Sequence, residues 1–283
     1  MKFVPSIELL RKAYEKGYAV PSFCAWNAET TELILRVATR MRAPVMLMSG
    51  PGEFPVMGPR LLGPVSRTVA EGFDVLAALH LDHGDSLPQV RDCLDAGYTS
   101  VMLDFSARPY AENAAALRQV SQWARPLGMT VEGEIGAVGK VDNTTVEGSK
   151  FSTLTDPDEA KRYADETGVD ILAISIGNAH GLYTRLPRFD FDRLEAIRRR
   201  TNIPLVLHGG SGTPEADLKR AISLGIAKVN VASEICKAFK DALLTEWGGA
   251  SKRWYTQILG DALKPVEPVL EKWIRMTGAE GKA

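Results

Sequence analysis

Short runs of apolar, often β-branched residues recur along the chain, and most are separated by amphipathic segments with helix start and stop signals. The runs are Ala19–Cys24, Pro44–Ser49, Leu76–His83, Ser100–Ser106, Thr130–Gly136, Ile171–Gly177, Pro204–Gly209 and Lys228–Ser233. Several are apolar almost throughout rather than alternating, as parallel strands covered on both faces require. Between them, Asp85-Ser86-Leu87-Pro88 reads as a helix start and Gly97 as its stop. Thr155-Asp156-Pro157 opens a segment that ends near Gly168, and Thr213-Pro214-Glu215 opens one that ends near Gly225.

Eight strand candidates in a βα repeat exceed the usual complement of an open doubly wound sheet and match an α/β fold of the closed (β/α)8 TIM-barrel type. The competing topology is an open α/β sheet. The whole chain, 1–283, reads as one barrel domain, with Ser6–Glu15 as an N-terminal helix capping the bottom. Glu234–Glu246 and Asp261–Met276 read as a C-terminal helical extension. One segment breaks the rhythm. Ala137–Thr153 is rich in Gly, Lys, Asp, Asn, Thr and Ser and has no apolar period. A long loop that follows a strand belongs on the catalytic face and reads as a lid.

Composition narrows the function classes. Lys plus Arg number 34 and Asp plus Glu 35, a formal charge of −1, so no clustered positive field points to nucleic acid. No stretch approaches the roughly 20 apolar residues that cross a bilayer, and Met1 to Val20 carries charges throughout. No membrane partner or secretory leader is therefore expected. Three cysteines cannot form a disulfide framework, and a reducing, cytoplasmic setting is expected.

In a barrel, chemistry sits at the C-terminal ends of the strands. Those ends carry Cys24, Ser49, Asp82, His83, Asp104, Glu132, Glu134, His180, His208 and Asn230. Three of only four histidines fall on this rim, and His80 lies one step deeper. Imidazoles converging from separate strands suit Zn2+ with a position left open for substrate. Neighbouring carboxylates would orient the rings, and Asp82 beside a Lewis-acidic metal could act as general acid or base. Cys24 reads as a small buried apolar residue rather than a ligand. A second signal is Leu207-His208-Gly209-Gly210-Ser211-Gly212-Thr213-Pro214, a strand end, a glycine cluster and a helix start at the usual phosphate position of a barrel. Asn230 through Ser233 end the neighbouring strand.

These motifs resemble the class II, zinc-dependent ketose-bisphosphate aldolases, especially the tagatose/fructose-bisphosphate branch. The resemblance is carried by His80-Leu81-Asp82-His83-Gly84, Gly177-Asn178-Ala179-His180-Gly181, Leu207 to Gly212 and Lys228 to Glu234. Leu154-Thr155-Asp156-Pro157 and the closing Gly278 to Ala283 add to it, and the match runs essentially the whole chain in order. It implies that His83, His180 and His208 hold zinc and that Asp82 donates the proton to the aldehyde oxygen. It implies that Gly181, Gly209, Gly210, Ser211, Asn230, Val231, Ala232 and Ser233, with Ser49 on the same rim, bind the dihydroxyacetone phosphate half. A monovalent cation, Na+ or K+, is expected nearby. Asp104 and Glu134 match positions tied to an alternative or second metal site. A homo-oligomer, dimer or tetramer, is the family expectation.

Three stretches depart from the family pattern. Phe23-Cys24-Ala25-Trp26-Asn27 has Cys where Asn is usual, and Asp104-Phe105-Ser106-Ala107 stands where Asp-Gly-Ser-His is usual. The lid motif Gly-Gly-x-Glu-Asp reads Gly139-Lys140-Val141-Asp142-Asn143, so Asp142 is the nearest match to the base for the C3 proton, with Glu147 as a rival. The sugar is then open: fructose or tagatose bisphosphate, or another phosphorylated keto sugar or keto acid such as 6-phospho-5-dehydro-2-deoxygluconate.

Rival functions are weighed on residues. A Schiff-base aldolase needs a lysine inside the barrel; runs three to seven offer none, and Lys228 opens its run. A metallohydrolase would want a His-x-His pair where Phe23-Cys24-Ala25 stands, and a non-catalytic partner subunit would not need all three histidines. Arg198-Arg199-Arg200 reads as cations completing a helix C-terminus. Trp254, Leu263, Val269, Leu270 and Trp273 read as an apolar surface that packs on the barrel or on another subunit.

Overall fold

The computed structural model describes residues 3–140, 153–183, 185–248 and 253–283. Eight parallel strands pair in chain order: β1 Val20–Cys24, β2 Val45–Ser49, β3 Ala77–Gly84, β4 Ser100–Leu103, β5 Thr130–Ile135, β6 Ile171–Ile174, β7 Leu205–Leu207 and β8 Ile226–Val231. β8 pairs back onto β1, with Ser22 opposite Asn230, so the sheet closes and the open-sheet alternative is excluded. The helices are α1 Ser6–Lys16, α2 Ala28–Met41, α3 Pro59–Ala70, α4 Leu87–Asp95, α5 Tyr110–Ala124 and α6 Pro157–Thr167. They continue with α7 Phe191–Arg200, α8 Glu215–Ser223, α9 Ser233–Gly248, α10 Tyr255–Leu263 and α11 Val266–Met276.

Both faces of nearly every strand are buried, which explains the unbroken apolar runs. Helix starts follow local chemistry. Asn27 and Thr30 form a reciprocal capping box at α2, and the Asp156 carboxylate accepts from the amides of Asp158 and Glu159 at α6. One expected start moves: α8 begins at Glu215, not Thr213. Thr213 precedes Pro214, whose ring disfavours the helical conformation there, and its amide instead closes a turn onto Gly210 O.

α1 closes the N-terminal end of the barrel. Val4 N donates to Ala77 O at 3.0 Å, Ile7 N to Thr130 Oγ1 at 3.0 Å, and Ser6 Oγ to Ser100 Oγ at 2.9 Å. These acceptors open β3, β5 and β4. The expected tail helix Asp261–Met276 is two helices, because Pro265 cannot continue α10. The apolar tail residues divide in the same way. Trp273 and Leu270 are wholly buried and join the core, whereas Trp254 is 76% exposed. The three arginines end α7, as the dipole reading expects, and Arg198 lies over the Tyr14 ring.

Trp273→Ala should lower unfolding stability by about 3–5 kcal/mol, the usual cost of emptying a buried tryptophan site. Trp254→Ala should change it by no more than about 0.5 kcal/mol. Urea denaturation of the two variants checks both.

Candidate active site

Three histidines reach one point from three separate strands. His83 lies in the last turn of β3, His208 directly follows β7, and His180 sits on the loop after β6. One nitrogen from each lies within 4.8 Å of the others. The His83 ring centroid is 4.7 Å from that of His180 and 4.5 Å from that of His208. Asp82 and His83 are neighbours, and strict alternation would send them to opposite faces of the sheet. The backbone prevents this: the β3–β4 register shifts between Leu81 and Gly84, and His83 adopts a left-handed φ of 49°. Such a conformation costs a non-glycine residue about 1–2 kcal/mol and brings both side chains to the rim.

The donor set fits a metal. Nε2 of His83 and Nε2 of His180 are buried with no partner among the described residues, an arrangement that is costly unless something binds there. Their orientation is fixed from behind: His83 Nδ1 meets Asp104 Oδ2 at 2.7 Å, and the His180 amide donates to Gly139 O at 2.7 Å. His208 is held on both sides, by Glu134 Oε2 at 2.8 Å on Nδ1 and by Glu132 Oε1 at 2.9 Å on Nε2. Asp104 and Glu134 also group with His83 as a second potential metal cluster. Asp82 stands beside these rings and accepts a 2.7 Å hydrogen bond from Asn230 Nδ2.

The glycine loop lies against the same rim. Gly209 has φ 65°, and a Cβ there would come within 2.0 Å of Ala179 O. At Gly210 a Cβ would meet Val229 and Asn230 O at 2.6 and 2.7 Å. Several loop amides are already used: Gly210 N donates to Asn230 O, Gly212 N to Glu234 Oε1 and Thr213 N to Gly210 O. The loop amides without an internal acceptor among the described residues are those of Gly209 and Ser211. Gly181 follows His180 with φ 117°. Ser211 Oγ caps Glu234 N, Val231 is wholly buried, and Ala232 and Ser233 are half-buried where α9 begins. Ser49 is buried at the end of β2, with its hydroxyl against Tyr98 OH at 2.8 Å. Asp142 and Glu147 lie outside the described residues.

Residues 4–282 match the family model described as fructose-bisphosphate aldolase class-II. The chain belongs to the class II fructose-bisphosphate aldolase family. The YdjI aldolase from Escherichia coli K12 superposes with a TM-score of 0.88 at 31% identity, covering 99% of each chain. The fructose-bisphosphate aldolase of Campylobacter jejuni shares the fold with a TM-score of 0.83 at 22% identity, over 100% of this chain and 97% of that one.

In this class II aldolase one residue departs sharply from its sequence reading. Lys228 does not open a strand; it is the third residue of β8 and is wholly buried inside the barrel. Its Nζ donates to Glu132 Oε2 at 2.7 Å and lies 3.2 Å from His80 Nε2. The signal was present in the spacing, since Lys228 and Asn230 are two apart on one strand and share a face, as do Glu132 and Glu134. Asn178 and Tyr183 were also missed as loop anchors. Asn178 Nδ2 donates to His208 O, and Tyr183 OH donates to Gly209 O.

Burial and charge set the protonation states. Burial, reinforced by Lys228, pushes His80 down to about 3. Burial likewise lowers His180 to about 4, with His83 and His208 adding to it. His208 goes the other way: burial opposes its charge, but hydrogen bonds to Glu132 and Glu134 prevail and raise it to about 10. Burial would raise Asp82, yet His83 and Lys228 outweigh it and hold the carboxyl at about 2.

Since His208 holds its proton below about 10, a divalent metal must displace that proton to bind. Metal affinity of the metal-free aldolase should therefore rise with pH, by about tenfold per unit for each proton released, at pH values below about 10. Competition against a chromophoric chelator at successive pH values checks this; a flat profile would remove the proton from His208. Separately, Gly209→Ala should weaken substrate binding or folding, because its Cβ collides with backbone at a positive φ. The measurement is KM alongside a thermal melt.

Proposed function

We propose that this class II aldolase reversibly cleaves a phosphorylated ketose of the fructose or tagatose 1,6-bisphosphate kind, giving dihydroxyacetone phosphate and an aldehyde, with Zn2+ as its metal. The observation that carries the reading is the pair of orphaned, buried histidine nitrogens beside His208, next to Asp82 and the glycine loop. Zn2+ held by His83, His180 and His208 would supply Lewis acidity where negative charge develops on the ketose oxygens.

The other roles belong to the chain. Asp82 is ionised in the resting site, so in cleavage it takes the proton of the C4 hydroxyl, and in condensation it returns that proton to the aldehyde oxygen. Asn230 fixes the carboxylate for both directions. Amides of Gly209 and Ser211, with Gly181, Gly210, Ser49 and the Asn230–Ser233 stretch, take the phosphoryl end, and Na+ or K+ would balance its charge. Asp104 and Glu134 orient His83 and His208 and form the second metal position. The C3 proton is assigned to a carboxylate of the lid, Asp142 or Glu147. The expected setting is the cytoplasm and the expected assembly a dimer or tetramer; no described helix is long and apolar enough to cross a membrane.

Lys228 makes the Schiff-base alternative worth testing, since it is a lysine inside the barrel after all. Its ammonium is paired with Glu132, whereas an iminium-forming lysine must be a free amine. The competing substrate is a phosphorylated keto acid or a deoxygenated keto sugar on the same metal and phosphate sites, and a panel of phosphorylated ketoses screened for dihydroxyacetone phosphate release separates the two.

Chelation should abolish cleavage, and Zn2+ or Co2+ should restore it. Borohydride with substrate should leave activity and mass unchanged; a reduced adduct on Lys228 would overturn the metal reading. Asp82→Asn should lower kcat by about 10²–10⁴-fold while metal content, measured by elemental analysis, stays at the wild-type level.

A further inference from the structure

Glu234 takes no part in the aldol chemistry, yet its side chain joins three parts of the fold. It is the second residue of α9. Its Oε1 accepts from the Gly212 amide at 2.7 Å, in the loop after β7. Its Oε2 accepts from Lys272 Nζ at 3.0 Å and from Trp273 Nε1 at 3.1 Å, both on α11. The backbone answers in the other direction, since Glu234 N donates to Ser211 Oγ at 3.2 Å. Ser211 thus satisfies one of the amides that a helix start leaves without an internal acceptor, and does so from a different segment. The pair of bonds is reciprocal: the loop hydroxyl takes the helix amide, and the helix carboxylate takes the loop amide. α11 is itself anchored, because Trp273 is wholly buried and Arg40 of α2 pairs with both Glu267 and Glu271.

We propose that Glu234 is a positioning residue for the phosphoryl end of the substrate, and that α11 sets its place through Lys272 and Trp273. This role rests on the reading of the glycine loop as the phosphate site, and adds to it a side chain that touches no substrate atom. A carboxylate beside such a site is unfavourable by charge alone, since it repels a phosphoryl group. What it supplies is shape. The peptide unit is planar, so a bond that fixes the Gly212 N–H also fixes the Ser211 carbonyl. The same bond commits the Gly212 amide to Glu234, while the amides of Gly209 and Ser211 have no internal acceptor among the described residues. Charge and position therefore predict opposite signs. If Glu234 acts through its field, removing its charge should tighten binding of a phosphate. If it holds the loop, removing its bonds should weaken binding.

The test titrates dihydroxyacetone phosphate into the zinc-loaded full chain by calorimetry. Glu234→Gln keeps the size of the side chain but offers one acceptor oxygen in place of two, so Gly212 and the two α11 donors cannot all be served. Its Kd should rise by about tenfold, the scale of a lost hydrogen bond to a charged group, while kcat changes much less. Zinc affinity, read by chelator competition, should stay at the wild-type level. Trp273→Phe removes one α11 donor with no change of charge and should weaken binding in the same direction. In both variants, deuterium exchange read by mass spectrometry should quicken over residues 209–213 and stay unchanged over β3 and β5. Equal or tighter binding by Glu234→Gln would overturn the positioning role and leave the loop as the phosphate site. Failure of the wild-type chain to bind dihydroxyacetone phosphate would overturn that reading of the loop, and this role with it.

Discussion

The carboxylates of Glu132 and Glu134 lie inside the barrel, out of contact with water, and the site is arranged around their compensation. An ionised carboxylate in such a place is tolerated only when cations and donors surround it. Lys228 supplies a cation to Glu132, His208 bridges both carboxylates, and the Val138 amide donates to Glu134. Burial would push Glu132 toward its neutral form, and Lys228 and His208 hold it ionised. The His208 imidazole is therefore positioned and charged by its two carboxylate neighbours. A metal cation would take over the compensating role of the His208 proton, so exchanging one for the other leaves the buried carboxylates balanced.

This polar thread continues below the site. Lys228 lies against His80 Nε2, His80 Nδ1 meets Ser100 Oγ at 2.8 Å, and Ser100 meets Ser6 in α1. The capping helix is thus joined through the barrel lumen to the catalytic rim by an unbroken series of hydrogen bonds. Each member leaves a partner unsatisfied if it is removed, and a stranded charge in such a network costs about 3–5 kcal/mol. Rigidity at the rim has a second source in the backbone, where His83 and Gly209 both hold positive φ angles.

Much of this was legible in the sequence, for reasons that can be assigned. Eight two-sided strands write eight apolar runs, so the barrel follows from counting, and histidine is scarce enough that three on one rim stand out. Element ends were less legible. Asp104 and His208 directly follow β4 and β7, and His180 lies well into the loop after β6, where the ladder has stopped. Thr213 was taken into a helix that the following proline excludes, and Pro265 splits a tail that the apolar period alone reads as continuous. Lys228 was misread because a charged residue at the edge of an apolar run resembles a boundary. Only its pairing with Glu132, 96 positions earlier, shows that the lumen accommodates the charge. A one-dimensional pattern records which face a residue takes, but not the distant group that neutralises it.

The departures from the family pattern can be judged by what they touch. In Asp104-Phe105-Ser106-Ala107, the Ser106 amide and hydroxyl both bond Asp104 Oδ1, at 3.1 and 2.7 Å, leaving Oδ2 for His83. Those bonds hold the carboxylate well below its ordinary range despite burial. Phe105 turns aside, under the Arg108 guanidinium at 3.6 Å. The change from glycine to phenylalanine thus adds a ring packed against the core and under Arg108 without disturbing the bond between Asp104 and His83. Cys24 follows the same logic, since its sulfur bonds Glu53 Oε1 at 3.2 Å. Both substitutions leave in place the side chains that group around the three histidines. The chain thus departs from the family pattern in side chains that pack beside the histidine cluster, while the three histidines and the glycine loop themselves are kept.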